Sequence, residues 1–271
     1  MTDASLKGRV VLITGGSRGL GREMALALAE AGAHIAITGA APTKALDATL
    51  AEISERTEAM AQAADVADPT AARRAVDQTI VRFGRLDVLI NNAGLGMRLI
   101  SETFNTVPTR FWEADAEGWA GIVGANINGP FHMAKAAIPH MIAQGFGKIV
   151  NISTSDITMV RNGYSPYGPS KAFLEAASRA WAAELAGTGV DVNVLLPGGA
   201  TDTDLLPPAP DRKGADGNLL SPAIMRAPIC WLASDAANGV TGGRFIARLW
   251  PEEGPFPGAA RVDTGDKPAI M

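Results

Sequence analysis

The chain has 271 residues, 47% of them hydrophobic and 19% charged, with a formal net charge of −4. This is the composition of an ordinary globular protein, long enough for one large α/β domain with a sizeable core, and it excludes a disordered chain. No Lys/Arg cluster offers nucleic acid a basic field, and the single cysteine, Cys230, excludes an intrachain disulfide.

No apolar run precedes the first strand, so no signal peptide is expected, and no window approaches the ~18 apolar residues of a membrane span. With one cysteine, this points to a reducing, cytoplasmic setting. Residues 10–13, Val-Val-Leu-Ile, read as a strand covered on both faces. A glycine-rich turn follows, then an alanine-rich helix to about residue 31, ended by Gly32. Further strands are predicted at 34–38, 60–64, 86–90, 148–152, 191–196 and 244–249. Between them helices are predicted at 44–58, from Pro69, over 117–144, through Tyr167 to about 186, and over 222–234. This alternation predicts a Rossmann-like doubly wound sheet of about seven parallel strands with helices on both faces. One domain is expected over 1–271, with 251–271 an extended arm that wraps a neighbouring subunit or frays. Residues 95–115 and 197–221 are long connections, which in a compact domain usually carry function.

The turn Thr14-Gly-Gly-Ser-Arg-Gly-Leu-Gly21 lies where a strand becomes a helix. Glycines there let the backbone approach a pyrophosphate, which the helix N-terminus then holds. Gly15, Ser17, Arg18, Gly19, Leu20 and Gly21 are therefore candidate dinucleotide contacts. An acidic residue about 20 positions on usually binds the adenosine ribose, but the count reaches Gly39, in Thr-Gly-Ala-Ala. No carboxylate there repels a 2′-phosphate, and Arg18 offers a guanidinium, so NADP(H) is favoured over NAD(H). Tyr167 and Lys171 are four residues apart, on one face of a helix. An ammonium near a phenol lowers its pKa from about 10 and suits it to trade a proton with a hydroxyl or carbonyl.

Together these motifs, with Asp65, Asn91-Asn-Ala-Gly94, Asn126, the hydroxyls at 153–155 and Pro197-Gly198, resemble the short-chain dehydrogenase/reductase family over residues 7–249. The resemblance implies that Asp65 and Val66 contact adenine. Asn91, Asn92, Ala93 and Gly94 would brace the central sheet and flank the cofactor. Asn126 would hold a water behind Lys171, with Trp119 opening the same helix. Tyr167 would be the general acid–base, and Lys171 would lower its pKa and bind the nicotinamide ribose. Pro197, Gly198 and Thr201 or Thr203 would line the nicotinamide. The family serine thirteen residues before the tyrosine is here Thr154, with Ser155 and Ser153 as alternatives. The chain departs from the family at the Gly198-Gly199 doubling and at the strand ending Phe245-Ile-Ala-Arg-Leu-Trp.

The implied activity is hydride transfer between NADP(H) and a small alcohol or carbonyl, in a homo-oligomer, dimer or tetramer. The same fold with NAD(H), an epimerase, and a cofactor sensor without turnover are alternatives. Leu99, Phe104, Phe111, Met159, Leu205 and Leu206 suggest an uncharged or partly apolar substrate. His34, His132 and His140 show no metal-ligand spacing, and no metal is expected.

Overall fold

The computed structural model describes residues 5–209, 212–214, 217–251 and 261–262. Its strands are β1 (Val10–Ile13), β2 (His34–Gly39), β3 (Ala59–Ala63), β4 (Val88–Asn91), β5 (Gly147–Ile152), β6 (Val190–Leu196) and β7 (Arg244–Ile246). They form one seven-stranded sheet in the order β3-β2-β1-β4-β5-β6-β7, every pairing parallel. The order reverses between β1 and β4. Crossovers on either side of that point leave in opposite directions, so a crevice opens beyond the carboxyl ends of these two strands.

The apolar strands divide their side chains by period two. Val11, Ile13, Val88, Ile90, Val150 and Ile152 face a core shared with α1 (Gly19–Glu30), α2 (Lys44–Ser54) and α8 (Arg226–Ala233). Leu12, Leu89 and Ile149 face the opposite core, against α3 (Pro69–Phe83), α5 (Gly129–Ala143) and α7 (Tyr167–Glu184). A continuous apolar run is therefore what a strand between two helical layers requires. Helix starts follow local chemistry: Asp68 caps α3 by accepting from Thr70 N at 2.8 Å, ahead of Pro69. Asp115 likewise caps α4 (Ala116–Val123), accepting from Gly118 N at 2.7 Å.

The helix predicted over 117–144 is interrupted. Residues Gly124–Asn128 form a π-helical turn between α4 and α5, with Gly129 N bonded back to Gly124 O. Pro130 has no N–H, so the carbonyl of Asn126, four residues back, lacks its α-helical donor. Such bulges recur at functional sites, and this one carries a candidate catalytic residue. The last strand ends at Ile246 and gives way to a 3-10 turn, Ala247–Leu249, rather than running to 249. Of the predicted arm at 251–271, only Pro251, Arg261 and Val262 lie among the described residues. Arg261 bridges antiparallel to Phe245, and Val262 N donates to Arg244 O at 2.9 Å. No helix among the described residues is long and apolar enough to cross a membrane.

Candidate active site

Two strand ends build the floor of the crevice. Gly15 and Gly19 hold left-handed backbone, φ +64° and +55°, so the chain turns from β1 into α1 within a few residues. A Cβ on Gly21 would lie 2.2 Å from Gly15 O, so only glycine fits where helix and turn touch. The first turn of α1 has no acidic residue and no side-chain cap, leaving its amides for an anion. Leu20 packs against the core beneath. Thr49 Oγ1 holds Ser17 O at 2.9 Å from outside. Asn92 Nδ2 donates to Thr14 O and Gly15 O at 2.9 and 3.0 Å, while Thr14 Oγ1 accepts from the amides of Asn92 and Ala93. Asn92 thus grips the turn, whereas Asn91 braces the sheet through Asn151 (2.8 Å), which continues to Ser178 (2.8 Å).

Gly39 closes β2, and Asp65 and Val66 follow the end of β3. Asp65 accepts from Ala67 N at 2.9 Å in a tight turn. Val66 buries its side chain against Gly129, and its carbonyl lies 3.0 Å from His132 Nδ1.

At the other end β5 delivers three hydroxyls, and their partners differ. Ser153 is buried and donates to Glu175 at 2.7 Å. Ser155 caps the short helix α6 (Asp156–Met159), with Thr158 Oγ1 at 2.9 Å. Of the three, only Thr154 is close enough to the Tyr167 phenol to act on its pKa. Tyr167 opens α7, and Lys171, one turn on, donates from Nζ to Ile152 O at 2.8 Å. A Cβ on Gly94 would stand 3.7 Å from that Nζ and 3.1 Å from Asn126 Oδ1. The Asn126 side chain is fully engaged: it accepts from Leu95 N and donates to Leu95 O and Ser170 Oγ. Any water held by Asn126 would therefore sit on its main-chain carbonyl, the one Pro130 leaves without its helical donor.

Burial dominates the electrostatics. It pushes the Tyr167 phenol up to about 12, against the lowering effect of the Thr154 hydrogen bond, with nearby Tyr164 adding to the rise. The phenol thus stands above its ordinary value, where the sequence reading expected Lys171 to lower it. Burial brings Lys171 itself down to about 8, partly offset by Glu175.

The loop after β6 lies over the glycine turn. The Thr203 methyl would be 3.2 Å from a Cβ on Gly19, and Thr201 pairs with Leu220 and turns its hydroxyl to Gly199 O. Gly198 is left-handed (φ +92°), and Pro197 O accepts from Arg248 N at 3.0 Å. Asp204 pairs with Arg18 at 3.0 Å, and its carbonyl accepts from Arg98 at 2.8 Å. Arg18, the guanidinium expected to meet a 2′-phosphate, is thus paired with a carboxylate here. Of the apolar residues expected in the pocket, Phe104 and Leu206 cluster with Met97, Tyr164 and Tyr167. Met159 is buried, while Leu99 and Phe111 are exposed.

The sequence reading missed Ser170, Glu175 and Arg244. Ser170 Oγ donates to Tyr167 O at 2.6 Å and links that turn to Asn126. Glu175 and Arg244 form a buried pair at 2.9 Å. A glutamate on the lysine's helix face and an arginine opening an apolar strand were the available signals.

Residues 9–213 match the model of the short chain dehydrogenase family. The chain is 35% identical to a 3-oxoacyl-[acyl-carrier-protein] reductase of Synechocystis over 72% of its own length and 75% of the relative's. It is 33% identical to the short chain dehydrogenase/reductase astE of Aspergillus oryzae, covering 88% and 92%. Its structure is similar to carveol dehydrogenase from Mycobacterium avium in complex with NAD, at TM-score 0.76 and 26% identity over 89% and 96% of the two chains. With most of its length matched by that family model and by these relatives, the chain belongs to the short-chain dehydrogenase/reductase family of oxidoreductases.

Proposed function

We propose that the protein interconverts an alcohol and its ketone or aldehyde with NADP(H), using Tyr167 as the proton donor and acceptor. The observation that carries this reading is the placement of Tyr167 one helical turn before Lys171 and beside Thr154, whose hydroxyl acts to lower the phenol's pKa. A carbonyl oxygen between the two hydroxyls would accept from both, and the phenol would give up its proton as negative charge develops on that oxygen. A phenol pushed up to about 12 keeps its proton at neutral pH and is ready for reduction.

The nicotinamide cofactor supplies or takes the hydride when bound. Gly15, Ser17, Gly19, Leu20 and Gly21 would hold its pyrophosphate, and Asp65, Val66 and Gly39 its adenosine end. Asn92, Ala93, Gly94, Pro197, Gly198, Thr201 and Thr203 would flank the remainder. Lys171 would reach the ribose with its ammonium and return the proton lost by Tyr167, through a water on Asn126 O. NADP(H) is favoured because Gly39 carries no carboxylate and Arg18 stands beside the turn. The apolar cluster of Met97, Phe104, Tyr164 and Leu206 fits a partly apolar carbonyl substrate.

The test is purified protein with NADPH or NADH and a panel of ketones and aldehydes, followed by loss of reduced-nicotinamide absorbance. Oxidation of NADPH that depends on a carbonyl supports the proposal. Cofactor binding with no turnover of any carbonyl or alcohol would leave a sensor instead.

A further inference from the structure

Three consecutive residues at the exit of β5 are each held by a different buried charged group. Lys171 Nζ donates to Ile152 O at 2.8 Å. Ser153 Oγ donates to Glu175 Oε1 at 2.7 Å. Arg244 Nη2 donates to Thr154 O at 3.3 Å, while its Nε bridges both Glu175 oxygens at 3.1 and 2.9 Å. Both side chains of the pair are under 10% exposed.

An ion pair this deeply buried is a weak source of stability, since desolvation offsets its attraction. Burial raises the Glu175 pKa, opposed by Arg244 and Ser153. What the pair does supply is direction. The guanidinium is a planar fork, so one edge can lie along a carboxylate while another nitrogen reaches a carbonyl. Glu175 sits one helical turn after Lys171, and Arg244 lies on β7, joined to β6 at Val194. The fork therefore ties α7 and the last strand to the backbone of the residue whose hydroxyl faces Tyr167.

We propose that Arg244 and Glu175 are positioning residues for Thr154: they fix the backbone from which its hydroxyl meets Tyr167 and the substrate oxygen. The catalytic part of this inference rests on the proposed function. Neither residue touches the reacting atoms; both act through Thr154.

The test compares wild type with Glu175→Met/Arg244→Met, which removes both charges and strands neither, and with Arg244→Lys. A lysine keeps the charge but cannot hold carboxylate and carbonyl in one fork. Both variants should bind NADPH within about twofold of wild type, yet lose about 10- to 100-fold in kcat, the scale of an ångström-sized misplacement. Amide hydrogen exchange should quicken over residues 152–159 and not in α1 or β1. In a Thr154→Val background the same changes should cost nothing further in kcat, because the hydroxyl they aim is gone. Wild-type kcat together with unchanged exchange at 152–159 would overturn the proposal, as would losses that multiply with those of Thr154→Val. If the double variant does not fold, Arg244→Lys carries the same readouts. Should wild type turn over no carbonyl or alcohol, the proposed function fails, while the exchange measurement still decides the positioning role.

Discussion

Gly39→Asp tests the cofactor assignment at the one position where the chain lacks the acidic residue that usually binds ribose. A Cβ on Gly39 would meet Ala41 O at 3.4 Å and Leu46 Cδ2 at 3.5 Å, ordinary contacts, and the position is not left-handed, so a side chain is accommodated. The new carboxylate would repel a 2′-phosphate yet accept from a ribose hydroxyl. The opposite lever is Arg18, whose bond to a phosphate is charge-assisted and worth about 1.5–3 kcal/mol. Arg18 must first leave Asp204, but that pair is 71% and 62% exposed. An exposed pair is worth only about 0–1 kcal/mol. The net preference is then about 0.5–3 kcal/mol, or about 2- to 150-fold in affinity. Arg18→Ala should weaken NADPH by that factor and spare NADH. Asp204→Asn should tighten NADPH by up to about fivefold, since it removes the competitor. The assay is the dissociation constant of each reduced cofactor, from nicotinamide fluorescence, for wild type and the three variants. Wild type preferring NADH, or a ratio unmoved by Gly39→Asp, would refute the NADP(H) assignment and leave the oxidoreductase reading intact.

Tyr167→Phe should lower kcat by at least about 100-fold, the lower range of general acid–base catalysis, with cofactor affinity kept; retention of a tenth of the activity would move the proton to another group. Thr154→Ser should remain active and Thr154→Val should not, whereas Ser155→Ala should lose about 1 kcal/mol of stability through the lost cap of α6, with little loss of turnover; equal steady-state activity of both Thr154 variants would reassign the hydroxyl. Lys148 is buried at the opposite end of the sheet, its Nζ without a hydrogen bond and 3.8 Å from Asp191, and burial brings it down from 10.5 to about 8. The unfolded chain therefore binds more protons between pH 8 and 10.5, so this group's share of stability rises through that window. Lys148→Met should flatten that rise in urea denaturation followed across pH 8 to 10.5, and a variant whose stability climbs through the window as wild type's does would refute it.

Most of the fold was legible because the strands are short apolar runs between amphipathic helices. The Pro69 and Gly32 boundaries follow from elementary backbone chemistry. The same local rules were silent on the π turn, although its cause was in plain view. Gly129-Pro130 sits inside an apolar periodic stretch, and only the missing amide at Pro130 shows which carbonyl loses its donor. The contest among Ser153, Thr154 and Ser155 could not be decided by spacing, since any of three adjacent hydroxyls can be turned inward by a change in strand exit. The structure gives each a different neighbour: a buried carboxylate holds Ser153, a helix N-terminus holds Ser155, and Thr154 acts on the phenol. The same competition acts on two charges. Lys171 lies on the face of Tyr167, as four-residue spacing requires, but its ammonium answers to the nearest carbonyl, Ile152 O. Arg18 lies in the glycine turn, but a carboxylate from a loop nearly 190 residues later reaches it. Spacing places a side chain on a face; the partners that long-range topology brings to that face determine its charge and aim.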